Sequence, residues 1–205
     1  MSKQADIPTQ EELAKLLENV KNDKPHGLRD WTILHLSYYS GLRAKEIASL
    51  MLQDVYIDGV IQEETYLEPH QTKNTTDKKD GRKVYLQHPK LQRALNDYIS
   101  AISNEYSANS IVVNKRPLFL SARGLSISAD SMVHIIKRIY RRHGLPTLSS
   151  HSGRVFFATY LCENFPDMDV KELQDYGGWK SIDMAYRYRK VNTKKQQDRL
   201  KKATF

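Results

Sequence analysis

YGGWKSIDMAYRY, residues 176–188, is the stretch around which the rest of the chain can be ordered. The pair Gly177-Gly178 permits a tight turn, because a residue without Cβ enters the left-handed region at little cost. Trp179 follows directly, either as a core anchor or as a ring that packs and donates through its indole N–H. The segment 182–188 is read as a helix and ends on Tyr186 and Tyr188. A tyrosine near a chain end is ordinarily packing. It becomes a candidate nucleophile only if cations elsewhere in the sequence are suited to an anion beside it.

Working outward, three short strings supply such cations. His151-Ser152-Gly153-Arg154 puts an imidazole and a guanidinium three residues apart at a helix start, where they can share one side of the turn. Thr72-Lys73 lies in a polar, basic loop that also holds Lys78, Lys79, Arg82 and Lys83, so composition alone does not single out Lys73. Gly41-Leu42-Arg43-Ala44-Lys45-Glu46 places Arg43 just after a glycine turn, at a helix N-terminus. The macrodipole disfavours a cation there, which makes sense if an anion binds alongside, and Glu46 is placed one turn later to orient it. Taken singly, each string reads better as a solvated, capping or backbone-gripping segment. Metal-free phosphodiester cleavage would need such groups brought together: a nucleophile in line, cations on the non-bridging oxygens, and an acid for the leaving oxygen. Arginine suits the second task because its planar fork binds two oxygens and stays charged.

Charge placement points the same way. The formal net charge is +8 over 205 residues. Residues 187–205 carry eight Lys or Arg against one Asp, and the other 186 residues hold 24 basic and 23 acidic side chains. A near-neutral body with a cationic tail, residues 189–205, suggests a polyanion such as nucleic acid. The length allows one large domain or two small ones. One cysteine, Cys162, excludes an intramolecular disulfide and supplies no metal cluster. No run approaches the roughly 18 apolar residues of a membrane span, and the start MSKQADIPTQEEL lacks a signal-peptide stretch. A reducing cytoplasm, with the protein associated with the nucleoid and no membrane, is the expected setting.

The predicted elements are mostly helical. Thr9 and Glu12 form a capping-box pattern ahead of Leu13, Leu16, Leu17 and Val20 at helical spacing. A second helix is expected from about Gly27 to Tyr39, ended by Gly41, and a short third after Arg43. VYID, VIQEETYL and RKVYL, within residues 55–86, are rich in β-branched and aromatic residues and read as a three-stranded antiparallel sheet with one long exposed hairpin loop. Helices resume at about 89–107, 129–143, 152–165, 169–176 and 182–188, with Asp130 as a cap and Pro146 as a separator. The helix at 129–143 carries Lys137, Arg138, Arg141 and Arg142.

In order, these fragments resemble the tyrosine recombinases, also called the phage integrase family, from about Thr9 to Val191. That family carries G-L-R-x-x-E, a hairpin lysine in a T-K context, H-x-x-R, and a G-H or G-W pair with the nucleophilic tyrosine nine residues on. Tyr188 keeps that register after Trp179, and Tyr186 misses it. Leu118-Phe119-Leu120-Ser121 also looks like the family. The resemblance implies an α+β, mostly α-helical catalytic domain over residues 1–205. It implies a site-specific recombinase that acts through a 3′-phosphotyrosyl intermediate in integration, excision or inversion. Tyr188 would be the nucleophile, Arg43 and Arg154 the phosphate ligands, His151 the acceptor of the tyrosine proton, Lys73 the acid and Trp179 a brace, with no cofactor and no metal. The basic helix would lie in the DNA major groove, where Lys and Arg either read guanine edges or contact phosphate only. Partners would be double-stranded DNA and, on paired sites, a homotetramer of chains monomeric in solution. The chain departs from the common H-x-L-R-H in having Gly153 and Val155, and it has Trp179 where most bacterial members have His. About eight residues precede the first helix, so it resembles short members such as the fimbrial phase-variation recombinases, with a helper protein as the candidate supplier of a clamp domain. A type IB topoisomerase-like activity would use the same pocket. A catalytically idle DNA-binding regulator is the third reading, and the intact residue set argues against it.

Overall fold

Helix α1 (Gln10–Lys21) begins where its capping box predicts: Thr9 Oγ1 accepts from the Glu12 N–H at 3.1 Å, and the Glu12 carboxylate accepts from the Thr9 N–H at 2.8 Å. Such a cap contributes about 1 kcal/mol. Leu13, Leu16, Leu17 and Val20 turn inward, as their spacing dictates. The computed structural model describes residues 5–72, 81–103, 116–179 and 181–190.

Helix α2 (Gly27–Tyr39) is the centre of the molecule. Residues 29–38 are all buried, because α1, α5 (Pro89–Ser103), α6 (Ala129–Arg142) and α7 (Ser152–Asn164) pack around it. Gly41, in the left-handed conformation at φ 64°, ends it, and the Leu42 N–H returns to the Leu36 carbonyl at 3.4 Å. Helix α3 (Ala44–Ser49) and the single turn α4 (Leu52–Val55) follow. The chain after residue 115 pairs with their junction, Leu118 N–H to Leu50 O at 2.8 Å and Leu52 N–H to Arg116 O at 2.9 Å.

Where three strands side by side were expected, the described residues form two two-stranded antiparallel ladders. β1 (Tyr56–Ile57) pairs with β2 (Val60–Ile61), and β3 (Glu64–Leu67) pairs with β4 (Arg82–Tyr85). The reason is that VIQEETYL breaks at Gln62-Glu63. Its first half bonds back to the Val55 carbonyl through the Gln62 N–H, and its second half takes the other partner, with the Leu86 N–H on Glu63 O. The stretch therefore serves its two neighbours end to end rather than along opposite edges.

The later helices lie within about two residues of their predicted bounds where described. Helix α6 is capped by Ser128, whose Oγ accepts from the Ser131 N–H at 3.2 Å, and not by Asp130, which lies inside the first turn. Helix α5 is described to Ser103, so the predicted continuation to 107 lies outside the described residues. Helices α8 (Val170–Gly177) and α9 (Ile182–Lys190) complete the chain. They pack with α7 around a small apolar cluster of Ala158, Val170, Leu173, Trp179 and Ala185, separate from the main core, with Tyr188 and Cys162 at its edge. Among the described residues no helix is long and apolar enough to cross a membrane.

Candidate active site

Gly177 and Gly178 deliver Trp179 inward for two distinct reasons. Gly178 closes α8 in the left-handed conformation, φ 56° and ψ 47°. A Cβ on Gly177 would fall inside the folded-back indole ring. Trp179 is 5% exposed. Its ring lies 4.9 Å from the Tyr188 ring, centroid to centroid, and the Arg154 guanidinium is also 4.9 Å from the Trp179 centroid. Tyr186, one register earlier, is 45% exposed and lies outside the cluster, whereas Tyr188 is half-buried within it.

Arg154 is 4% exposed. One terminal nitrogen donates to the Gly41 carbonyl at 2.7 Å and the other to the Gly177 carbonyl. The side chain thereby ties together the ends of α2 and α8, whose dipoles favour a cation at their C-termini. Two of five guanidinium donors are engaged in these bonds. Burial, and then Arg43, push the Arg154 pKa down to about 9, so the group stays charged at neutral pH. Gly153 lets α7 come this close to α2, since a Cβ there would lie 2.3 Å from Ser37 Oγ. That crossing accounts for a glycine where the related motif commonly has leucine.

Glu46 is fully buried and holds Arg43 twice: Oε1 accepts from Arg43 Nη1 and Oε2 from the Arg43 backbone N–H, both at 2.8 Å. A second guanidinium, which sequence reasoning left among the loop bases, shares the carboxylate. Arg82 donates from Nη2 to Oε2 at 2.8 Å and from Nε to Oε1 at 3.2 Å. Burial alone would raise the Glu46 pKa, but Arg82, then Arg43 and Arg154, bring it to about 2. Three guanidiniums thus face one carboxylate, a local surplus of two positive charges suited to a phosphate.

Lys73 lies outside the described residues. The residue before it is held on α3: Lys45 Nζ donates to the Thr72 carbonyl at 2.8 Å, and buried Gln71 donates to Ser49 O at 3.0 Å and to Asp54 at 3.2 Å. Both flanks of segment 73–80 are therefore fastened to α3 and its C-terminal end, one through Lys45 and Gln71, the other through Arg82 on Glu46. No local spacing announces Lys45, Gln71 or Arg82, because their partners are 17 to 36 residues away. His151 is exposed at the N-cap of α7, one turn before Arg154.

The Tyr188 phenol is raised above its ordinary value. Burial is the largest cause and outweighs Arg154, Arg43 and Arg187, which pull it down. The neighbouring cations therefore do not suffice to ionise it.

Helix α6 buries Met132, Ile136, Ile139 and Tyr140. Its outer face lines an open groove of about 890 Å³ with Lys137, Arg138, Arg141, Arg142, Ser131 and His134. Arg142 is partly neutralised by Asp23 at 3.1 Å, which also binds His143 at 2.9 Å. The tail from residue 191 lies outside the described residues, as does any role for it. Among the described residues no group of three or more His, Cys, Asp or Glu is placed to hold a metal ion.

Comparison with known proteins identifies the fold and the family. Tyrosine recombinase XerC of Pelobacter propionicus is 24% identical over 178 residues, covering 86% of this chain and 52% of that protein. Tyrosine recombinase XerD of Staphylococcus epidermidis is 27% identical over 189 residues, covering 91% and 58%. The chain thus spans somewhat more than half the length of these relatives. Among solved structures, XerA recombinase superposes with a TM-score of 0.68 at 19% identity, over 91% of this chain and 61% of that one. XerH recombinase, in a post-cleavage complex with palindromic difH substrate, gives 0.67 at 19% identity, over 97% and 53%. The fold is that of the tyrosine recombinase catalytic domain. The phage integrase family model matches residues 8–195, and the chain belongs to that family.

Proposed function

We propose that the chain is the catalytic domain of a site-specific DNA recombinase, with Tyr188 as its nucleophile. The observation that carries this reading is the Tyr188 ring packed on Trp179, which also carries the Arg154 guanidinium, with the Arg43–Glu46–Arg82 cluster alongside. Membership of the phage integrase family supports it.

In this mechanism the Tyr188 oxygen attacks the scissile phosphorus and the 5′-oxygen departs, leaving a 3′-phosphotyrosyl link. His151 accepts the phenolic proton and Lys73 gives one to the leaving oxygen. Arg43 and Arg154 hold the non-bridging oxygens, and Trp179 braces the pocket. A free phenol is only about one part in a thousand ionised at pH 7, a deficit of roughly 4 kcal/mol. Burial of Tyr188 adds to that deficit, which gives the His151 base a task the cations alone do not perform. The link conserves the energy of the phosphodiester, so a second 5′-hydroxyl can resolve it without an energy source. The basic face of α6 meets the DNA duplex in its major groove. The working assembly is a homotetramer on paired sites, helped by a partner protein where the clamp is not otherwise supplied, and it acts at the nucleoid.

The test is a panel of nicked duplexes tiling the DNA that flanks the protein's own coding sequence. Wild type is expected to form a covalent adduct on at least one, and Tyr188→Phe none. An adduct that survives Tyr188→Phe and disappears with Tyr186→Phe would place the nucleophile elsewhere. Relaxation of plasmid lacking the site would point to a topoisomerase instead, and salt-sensitive binding with no adduct to a regulator.

A further inference from the structure

We infer that Arg82 is a positioning residue of the phosphate pocket, sharing the Glu46 carboxylate so that Arg43, though oriented by Glu46, keeps charge to offer the scissile phosphate. The inference rests on the reading above that this pocket takes a DNA phosphate.

The strand pleat separates Arg82 from the bases around it. Lys83 points outward and pairs with Glu64 at 2.8 Å, with its side chain 52% exposed. Arg82 points inward beside buried Val84 and is 10% exposed. It grips both oxygens of Glu46 with two different nitrogens, the fork geometry that fixes a carboxylate plane as well as neutralising it. Its aliphatic stem lies against Gly178, where a Cβ would come within 2.3 Å of Arg82 Cδ. The same side chain therefore touches the turn that delivers Trp179.

The charge count gives Arg82 its effect. With Arg82 present, Glu46 is divided between two guanidiniums, and the cluster with Arg154 carries two surplus positive charges. Without it, Glu46 has Arg43 as its remaining close guanidinium, and the surplus falls to one. Arg43 would then be bound by the carboxylate it must partly leave to engage phosphate. One further feature sets this arginine apart from a plain structural counter-ion. Its Nη1 is buried with no hydrogen-bond partner among the described residues, a cost that packing around Glu46 does not require. Arg82 touches neither Tyr188 nor any leaving group in this account; it acts through Glu46 on Arg43.

The experiment compares single-turnover adduct formation, at saturating protein, by wild type, Arg82→Met, Arg82→Lys and the double variant Arg82→Met with Glu46→Gln. The duplex is the one wild type cleaves in the panel above, and thermal unfolding is followed alongside. Arg82→Met is expected to slow cleavage roughly a hundredfold, the scale of a displaced positioning group, with duplex affinity little changed. Removing the Glu46 charge as well releases Arg43 and restores the surplus of two, so the folded double variant should recover about tenfold or more of that loss. A merely structural arginine gives no recovery, since the second substitution can only add damage. Wild-type rates in Arg82→Met, or no recovery in a folded double variant, overturn the inference. Should the double variant not fold, Arg82→Lys decides: it keeps the charge but loses the fork, so its rate is expected to fall between those of wild type and Met, and a loss as deep as that of Met overturns the inference. If wild type itself forms no adduct on any duplex, the recombinase reading falls first and takes this inference with it.

Discussion

Glu46→Gln is the substitution that most directly measures how the site is held together. Glu46 is fully buried between Arg43 and Arg82, with four hydrogen bonds of 2.8 to 3.2 Å. Its carboxyl pKa falls from 4.5 to about 2. A depression of that size corresponds to roughly 3 kcal/mol of folding stability carried by the ionised form. Removing one member of a buried pair and stranding the others costs about 3 to 5 kcal/mol, the same scale reached independently. Because the folded pKa lies below the unfolded one, this contribution is complete above about pH 5 and is lost as pH falls from 4.5 toward 2. Denaturant unfolding of both proteins at a series of pH values reads it directly. The difference between wild type and Glu46→Gln should be flat near neutrality, at roughly 3 kcal/mol, and shrink steadily through the acid range. A difference near zero at pH 7, or one unchanged down to pH 3, would refute the view that a charged Glu46 anchors the arginine cluster.

Two further outcomes follow from the same geometry. Gly178→Ala should destabilise more than Gly124→Ala: both glycines have positive φ, at 56° and 72°, but a Cβ at 178 meets Arg82 and a Cβ at 124 meets nothing within 4 Å. Strain alone accounts for about 1 to 2 kcal/mol, so equal losses by chemical denaturation would show that Arg82 yields freely. On α6, a duplex that neutralises about five phosphates gives a slope near −4.5 for log affinity against log salt, and Arg141→Ala should reduce its magnitude by about 1. Arg142→Ala should reduce it less, because Asp23 already offsets that charge. Equal effects in a salt titration would argue against the pairing.

The departures of this chain from the common motif now have physical readings. Gly153 is required by the approach of α7 to Ser37 on α2. Val155 is buried at 7% exposure, so it serves packing at that position. Trp179 fills an apolar cluster and stacks with both the arginine and the tyrosine of the site, which a smaller imidazole would do with less buried surface.

Much of this protein was legible one segment at a time. The Thr9–Glu12 box, the inward leucines of α1, the end of α2 at Gly41 and the amphipathic α6 all follow from interactions within a turn or two, and local spacing records those. The order Arg43, Lys73, His151, Arg154, Trp179, Tyr188 pointed to one pocket through its resemblance to a known family. Tertiary structure decided the rest, because it depends on contacts between segments far apart in the chain. It divided VIQEETYL between two ladders, moved the α6 cap to Ser128, and pushed the Tyr188 phenol up by burial. Above all it brought Arg82 onto Glu46 from 36 residues away, with Lys45 holding Thr72 beside it. A strand pleat and a helix turn each choose which side chain faces inward, but which inward faces meet is decided only when the whole core closes.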